Sequence, residues 1–237
     1  VILAAAVAIA QEAVYSLNVV GFQKVTVQPA KFTMPGVPFQ ALSHELNSLV
    51  GPQLTAAKNS AGADKIYKWN PAIQQYDKYF LNSTIGNKWV SYTNTTVATS
   101  NAYIYSTDGF WIEAAAVATQ TLVLVGDVIN TAKVTNSLPI GFSMKSYPFS
   151  SPISINSMNL TNGTAAKNSA GADKLHLWDS ASQQYRRFFL NSTIGTKWAS
   201  YTNTGVAASD VINPNEGFWY EAIGAATWIA AKPYTID

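Results

Sequence analysis

Short runs in which apolar and polar residues alternate dominate the chain. In the run 65–69, Ile66 lies on one predicted face and Tyr67 and Trp69 lie on the other, as in a half-buried strand. Asn70-Pro71 predicts a turn, and the run 75–80 predicts the returning strand. Further strands are predicted at 88–93, 102–105, 110–114 and 121–125. Short strands punctuated in this way predict an all-β protein, built as a sandwich or an open barrel.

One short helix interrupts this pattern. Leu42, Leu46, Leu49 and Val50 follow the i, i+4, i+7, i+8 spacing of an apolar helical face, and Pro52 lies just beyond them. We therefore predict a helix that begins near Leu42 and ends before Pro52.

The chain contains an internal repeat. Residues 56–100 and 165–209 are related by an offset of 109 positions, and 32 of these 45 positions are identical. Weaker similarity continues on both sides, as in Gly109-Phe110-Trp111 and Gly217-Phe218-Trp219. The repeat predicts two homologous β-sandwich-like domains of about 110 residues, a normal domain size, each with at most one short helix.

The repeat also predicts the domain boundaries. Residues 1–10 form an apolar segment, residues 11–125 form copy one, and residues 141–237 form copy two. The segment 126–140 between the copies contains apolar residues at strand spacing, so it is expected to be a connecting strand or linker.

The first ten residues, VILAAAVAIA, allow two interpretations. They are typical of the apolar part of a secretory signal, with Ala8-Ile9-Ala10 as the cleavage pattern, and this indicates an extracellular or cell-surface protein. Alternatively, they form an assembly segment that a contact with a neighbouring subunit buries. The apolar anchors of such a contact are Val1, Ile2, Leu3, Val7 and Ile9.

The charge content is low. The chain has 15 Lys and Arg and 13 Asp and Glu, which is 12% of its residues, against about 25% in an average domain. The net charge of +2 argues against an electrostatic nucleic-acid partner, and no apolar stretch is long enough to span a membrane. A surface with so little charge repels copies of itself weakly, which favours self-association.

Both copies carry the same ordered motifs. These are Phe-x-Met with Pro-Phe, Asp-Lys-[Ile/Leu] with Trp and Gln-Gln-Tyr, Lys-Trp, and [Asp/Glu]-Gly-Phe-Trp-x-Glu with Ala-Thr. Together with the segment YSLNVVGF at 15–22, they resemble exported tandem β-modules of verrucomicrobial type. The resemblance covers nearly the whole chain from Tyr15. It implies export and a β-rich module, and it brings no established activity.

The titratable residues do not predict an enzyme. His44 and His176 are not repeated between the copies, and without cysteine they provide no zinc site, so no metal or cofactor is expected. Asp108 and Glu113 could only act as a glycosidase pair if they faced each other across a cleft. We expect instead that Asp108 is a turn residue and that Glu113 pairs with a repeated lysine.

The repeated aromatic residues are the candidate ligand-binding groups. Such rings either fill the sandwich core or stack on sugars at an exposed strand face. Alternation predicts that tyrosines point outward more often than the tryptophans. The candidate ligand or partner surface consists of Tyr67, Tyr76, Tyr103, Tyr105, Tyr185 and Tyr201.

These observations predict an exported structural protein that polymerises with itself. Assembly into a filament or surface layer would use strand addition at a sheet edge, or insertion of the N-terminal segment into a neighbour. The alternative is a cell-surface module that binds a polysaccharide through aromatic platforms.

Overall fold

The computed structural model describes residues 19–115 and 117–235, which form mainly antiparallel β structure. Copy one contains β1 (Val20–Val27), β2 (Phe32–Thr33), α1 (Leu46–Leu49), β3 (Lys65–Asn70), β4 (Gln75–Asn82), β5 (Lys88–Ser91), β6 (Trp111–Glu113) and β7 (Gln120–Asp127). Copy two contains β8 (Lys133–Leu138), β9 (Gly141–Ser146), β10 (Ile153–Ser154), β11 (Asn159–Thr161), β12 (Lys174–Asp179), β13 (Gln184–Asn191), β14 (Lys197–Ser200), β15 (Val211–Ile212), β16 (Gly217–Ala222) and β17 (Ala226–Ala231). Short 3-10 helices lie at Ser83–Ile85, Ile155–Ser157, Ser169–Gly171 and Ser192–Ile194.

Copy one is a sandwich of two antiparallel sheets. One sheet has the strand order β2-β6-β3-β4-β5, and the other pairs β1 with β7. The core between them contains Val27 and Leu124 from the small sheet and Ile66, Leu81 and Ile112 from the large one, all fully buried. The predicted alternation is confirmed at β3, where Ile66 enters this core while Tyr67 lies on the opposite face.

Copy two repeats this arrangement. Its five-stranded sheet has the order β9-β16-β12-β13-β14, which is strand for strand the order of copy one. The second sheet has the order β11-β17-β8, and β10 pairs separately with β15. The predicted all-β fold of two sandwich-like copies is therefore confirmed.

The segment between the copies belongs structurally to both. Strand β7 extends to Asp127, two residues past the predicted end of copy one at 125. Strand β8, within the predicted connecting segment 126–140, pairs with β17 and supplies one edge of the small sheet of copy two. The structural division between the copies lies between Asp127 and Lys133.

The helix α1 is shorter than the sequence predicted. It begins after Glu45, whose side chain accepts a hydrogen bond from Ser48 N at 3.1 Å and caps the first turn. Leu42 lies outside the helix with 92% of its surface exposed, because the chain before Glu45 is extended and His44 O accepts a hydrogen bond from Ile104 N. Within the described residues, no helix has the length and apolar character needed to cross a membrane.

A buried carboxylate organises the long loop before β3 in copy one and before β12 in copy two. Asp64 has no exposed surface and accepts hydrogen bonds from Thr55 N and Gln120 Nε2, both at 2.7 Å. Its counterpart Asp173 accepts from Thr164 N at 2.9 Å. Since an unpaired buried charge is costly, these bonds stabilise the buried aspartate within the loop sequence AAKNSAGADK that both copies share.

Candidate functional site

The two copies face each other through an aromatic cluster. The outward faces of the two five-stranded sheets meet there, around Met34 and Met144. The rings of Trp69 and Trp219 pack edge to face with centroids 5.0 Å apart. The aromatic members of the cluster are Tyr67, Trp69, Tyr76, Trp111, Trp178, Tyr185 and Trp219. The sheet face opposite the sandwich core in each copy is thus largely buried against the other copy.

Hydrogen bonds across this interface occur in reciprocal pairs. Trp69 Nε1 donates to Phe142 O of copy two at 2.7 Å, and Trp178 Nε1 donates to Phe32 O of copy one at 3.1 Å. The side chain of Gln183 accepts from Phe32 N at 2.8 Å and donates to Phe32 O at 2.9 Å. Gln74 bonds both backbone groups of Phe142 in the same way. The copies are therefore related by a local pseudo-two-fold axis, like the subunits of a symmetric dimer.

Three of the six candidate tyrosines lie in this interface. Tyr76 and Tyr185 are half-buried, and their hydroxyl groups accept hydrogen bonds from Trp111 Nε1 and Trp219 Nε1, both at 3.1 Å. Tyr67 is also half-buried, and its hydroxyl donates to Glu113. Because their rings pack against the aromatic cluster between the copies, these three tyrosines do not form the open platform that the sequence suggested.

Beside the aromatic cluster, copy one has a small charged network. Lys65 Nζ lies 2.6 Å from Glu113 Oε1, which confirms the predicted pairing of Glu113 with a repeated lysine. Burial acts to raise the pKa of Glu113, but the hydrogen bonds from Lys65 and Tyr67 together with the Lys65 charge lower it below its ordinary value. Burial and the hydrogen bond to Glu113 raise the pKa of Tyr67. Glu113 is thus held as an anion.

Copy two has the same network with histidine in place of tyrosine. Lys174 Nζ lies 2.5 Å from Glu221 Oε1, and His176 Nε2 lies 3.5 Å from Glu221 Oε2. Burial lowers the pKa of His176, although Glu221 opposes this shift. The imidazole therefore packs as a neutral ring, close to Phe142 and Tyr185.

The remaining repeated carboxylates stabilise turns. Asp108 accepts from Tyr105 N at 3.1 Å, and its counterpart Glu216 accepts from Asn213 N at 3.0 Å, as expected for turn residues. Glu216 also lines a groove of about 540 Å³ with Asp179. Hydrogen bonds from Ser182 and the backbone lower the pKa of Asp179, so it is not suited to act as a general acid there.

The other three candidate tyrosines are exposed. Tyr103 and Tyr105 expose 41% and 48% of their surfaces, while the alternate residues Ala102 and Ile104 are buried. Tyr201 exposes 37% and packs edge to face on Phe189. Tyr103 and Tyr105 form the one pair among the six candidates whose rings are both exposed and next to each other.

Most sheet edges within the described residues are covered. Gln183 and Gln74 bond the backbone of the edge strands β2 and β9, as described above. The edge strands β5 and β14 receive loop hydrogen bonds from Thr99 N to Trp89 O and from Ala208 N to Trp198 O, both at 2.8 Å. On β7, the Gln53 side chain bonds Val123 N at 2.8 Å, in the position that β11 occupies in copy two.

Strand β1 presents a different edge. Val128 N donates to Val19 O, and bonding alternates along an antiparallel pair, so the backbone groups of Val20, Phe22 and Lys24 point away from β7. In residues 19–115 and 117–235, no backbone group pairs with this edge. Val20 and Phe22 expose 67% and 65% of their surfaces, and Val125 beside Phe22 exposes 47%.

Strand β8 holds the equivalent place in copy two with polar residues. Its exposed positions are Lys133, Thr135 and Ser137, so this edge lacks the apolar side chains that β1 exposes. Sequence patterns could not distinguish these edges, because the pairing of each strand depends on the rest of the fold.

The predicted assembly anchors Val1, Ile2, Leu3, Val7 and Ile9 lie outside the described residues. In the part of the chain that the structure describes, no three His, Asp or Glu side chains cluster as metal ligands would. Comparisons of this chain with protein-family models, with curated proteins and with solved structures give no significant match.

Proposed function

We propose that the protein is an exported structural protein, without enzymatic activity, whose copies assemble by β-strand addition at β1. The observation that carries this proposal is the uncovered, partly apolar edge of β1 in a fold that covers most of its other edges. Unpaired edge groups are a template for another strand, and the long β1 has eight residues to offer.

Burial of apolar side chains would add to the backbone pairing. Val20, Phe22 and Val125 each expose about half or more of their surface. Full burial of a valine or phenylalanine side chain contributes about 1.5–3 kcal/mol, so covering these three contributes on the order of 3 kcal/mol. The low charge of the chain opposes this contact only weakly.

The pseudo-two-fold arrangement favours an open polymer. Each chain has two related edge strands, β1 in copy one and β8 in copy two. If β1 of one chain pairs with β8 of the next, every added chain leaves one free edge at each end, and such a head-to-tail contact produces a filament unless the rotation closes a ring.

Export is the second part of the proposal. It is supported by the signal-like segment at 1–10 and by the resemblance to exported tandem β-modules of verrucomicrobial type. The other mode of assembly, in which the segment 1–10 inserts into a neighbouring chain, remains a prediction, and deletion of residues 1–10 tests it.

The test compares assembly of the full chain with that of variants, by sedimentation velocity and negative-stain electron microscopy. Phe22→Lys places a charge on the apolar part of the edge and is expected to abolish assembly. Lys24→Pro removes an outward N–H without removing a β1–β7 hydrogen bond, and is expected to weaken assembly. Val206→Lys, at a loop position exposed by 55%, is the matched control and is expected to assemble normally.

Two results would overturn the proposal. The first is a full chain that remains monomeric at high concentration. The second is normal assembly of both β1 variants while deletion of residues 1–10 abolishes it, because the apolar segment would then be the contact.

A further inference from the structure

We propose that Tyr103 and Tyr105 form a binding site for a neutral polysaccharide on copy one. This inference does not depend on self-assembly, and it uses a surface separate from β1. Their ring planes lie within 20° of parallel, with centroids 6.3 Å apart. Both rings project from one extended segment whose intervening residue, Ile104, is anchored in the core with 1% exposure.

The two rings are held in place by the surrounding structure. Tyr103 pairs with Glu45 through a β-bridge, and its hydroxyl donates to Ser100 O at 3.3 Å. Tyr105 N donates to Asp108 at 3.1 Å, at the start of the following turn. Rigid aromatic rings bind with a small loss of conformational entropy, which suits a stacking site.

A histidine extends the aromatic surface. The ring of His44 lies 4.8 Å from that of Tyr105 and is tilted by 44°. Its Nδ1 lies 3.2 Å from Ile104 O, which can only accept, so Nδ1 carries the proton. Its Nε2 then accepts from Gln40 Nε2 at 2.9 Å. Both ring nitrogens of His44 therefore have hydrogen-bond partners, and the exposed Gln40 amide beside it retains its oxygen as an acceptor for hydroxyl groups.

The charge around the rings favours an uncharged ligand. The flanking segments 40–48 and 99–108 contain neither lysine nor arginine. Their carboxylates already accept backbone hydrogen bonds, Glu45 from Ser48 N and Asp108 from Tyr105 N. With no cation on these two segments to pair with an acidic sugar, and with rings that offer apolar faces to the C–H groups of a sugar, the site fits neutral sugar units.

Copy two does not repeat the site. At the positions that make the same contacts in copy two, Tyr103 and Tyr105 are replaced by Val211 and Asn213, and His44 is replaced by Ile153. The proposal therefore requires one binding site for each chain. A ligand that recognised the conserved part of the repeat would occupy two.

The experiment is affinity gel electrophoresis of the full chain in gels containing mannan, hydroxyethyl cellulose, xylan or soluble β-1,3-glucan. We expect at least one of these polymers to retard the protein. Tyr105→Ala should weaken binding by about tenfold, because it removes both the burial and the stacking of one ring. Tyr105→Phe should retain binding, since it keeps the ring. Tyr201→Ala, which removes an exposed tyrosine from copy two, is the matched control and should also retain it.

Calorimetry with an oligosaccharide fragment of the polymer that retards the protein should give one site for each chain. The proposal fails if none of the four polymers retards the full chain, if Tyr105→Ala binds as the full chain does, or if the stoichiometry is two. It also fails if Tyr105→Ala abolishes self-assembly and leaves polysaccharide binding unchanged, because the rings would then contact a second copy.

Discussion

A glycine pair where the two copies cross provides the sharpest test of the internal interface. Gly109 and Gly217 belong to the repeated Gly-Phe-Trp motif and approach each other across the pseudo-two-fold axis. A methyl group added at Gly109 would lie 2.7 Å from Lys145 O and 3.2 Å from the Cα of Gly217. The backbone of Gly109 is not in the left-handed region, so any cost of an alanine comes from this contact.

The structure gives the size of the effect. Ordinary contact begins near 3.4 Å, so Gly109→Ala must move the two backbones apart by about 0.7 Å at this point. The displacement also loosens the packing of Trp111 on Trp178, whose ring centroids are 5.0 Å apart. Overpacking of this kind costs about 1–3 kcal/mol. At about 2–4 °C for each kcal/mol in a chain of this length, Tm should fall by several degrees.

The assay is thermal unfolding followed by tryptophan fluorescence, with Gly205→Ala as the control. No heavy atom lies within 4 Å of a methyl group at Gly205, so that variant should unfold at the temperature of the parent or slightly above it. The reasoning is refuted if the two alanine variants have the same Tm. If only Gly109→Ala lowers Tm, the repeated glycine is needed for the close approach of the two copies.

Two further predictions concern buried groups. Asp64→Ala leaves buried donors such as Thr55 N unpaired and should lower the free energy of unfolding in urea by about 3–5 kcal/mol. The control Asp77→Ala removes an exposed carboxylate and should change this free energy by less than about 1 kcal/mol. Equal effects of the two variants would contradict the role of the buried carboxylate. Burial raises the pKa of Tyr79 and Tyr147 from 10.0 to about 12, so their contribution to stability is complete below pH 10 and is lost as the pH rises through 12. The pKa of Glu113 is lowered, so its contribution to stability is present above pH 4.5 and is lost as the pH falls through the pKa of the folded state. Urea unfolding between pH 3 and pH 11 should therefore show a plateau from about pH 5 to pH 9, and a stability at pH 11 equal to that at pH 8 would contradict it.

The strand pattern and the duplication were predictable from sequence because they depend on local alternation and on identity between copies. Ile66 in the core and Tyr67 on the opposite face follow from period-two alternation alone. The short helix was misplaced because the apolar spacing continued back to Leu42, while the capping side chain of Glu45 sets the start of the helix.

What covers the second face of each sheet was not predictable. Alternation assigns Tyr76 and Tyr185 to the face opposite the core, but it does not distinguish solvent from a second copy of the domain. Two signals were available in the sequence, the repeated Gly-Phe-Trp motif and the repeated Gln-Gln-Tyr. Gln74 and Gln183 are the first glutamines of the latter, and both have positive φ angles, of 52° and 55°, which aim their side chains at the other copy.

Most of the few acidic residues of the chain also have a structural role. Eleven of the 13 acidic residues lie in the described ranges, and nine of those eleven accept hydrogen bonds within the fold. Their carboxylates therefore help to order turns, loops and the sheet interface. Since the aromatic faces are already paired within the chain, they are not available for a contact between chains. At β1 that contact would be made by backbone hydrogen bonds and by Phe22, with little opposition from charge.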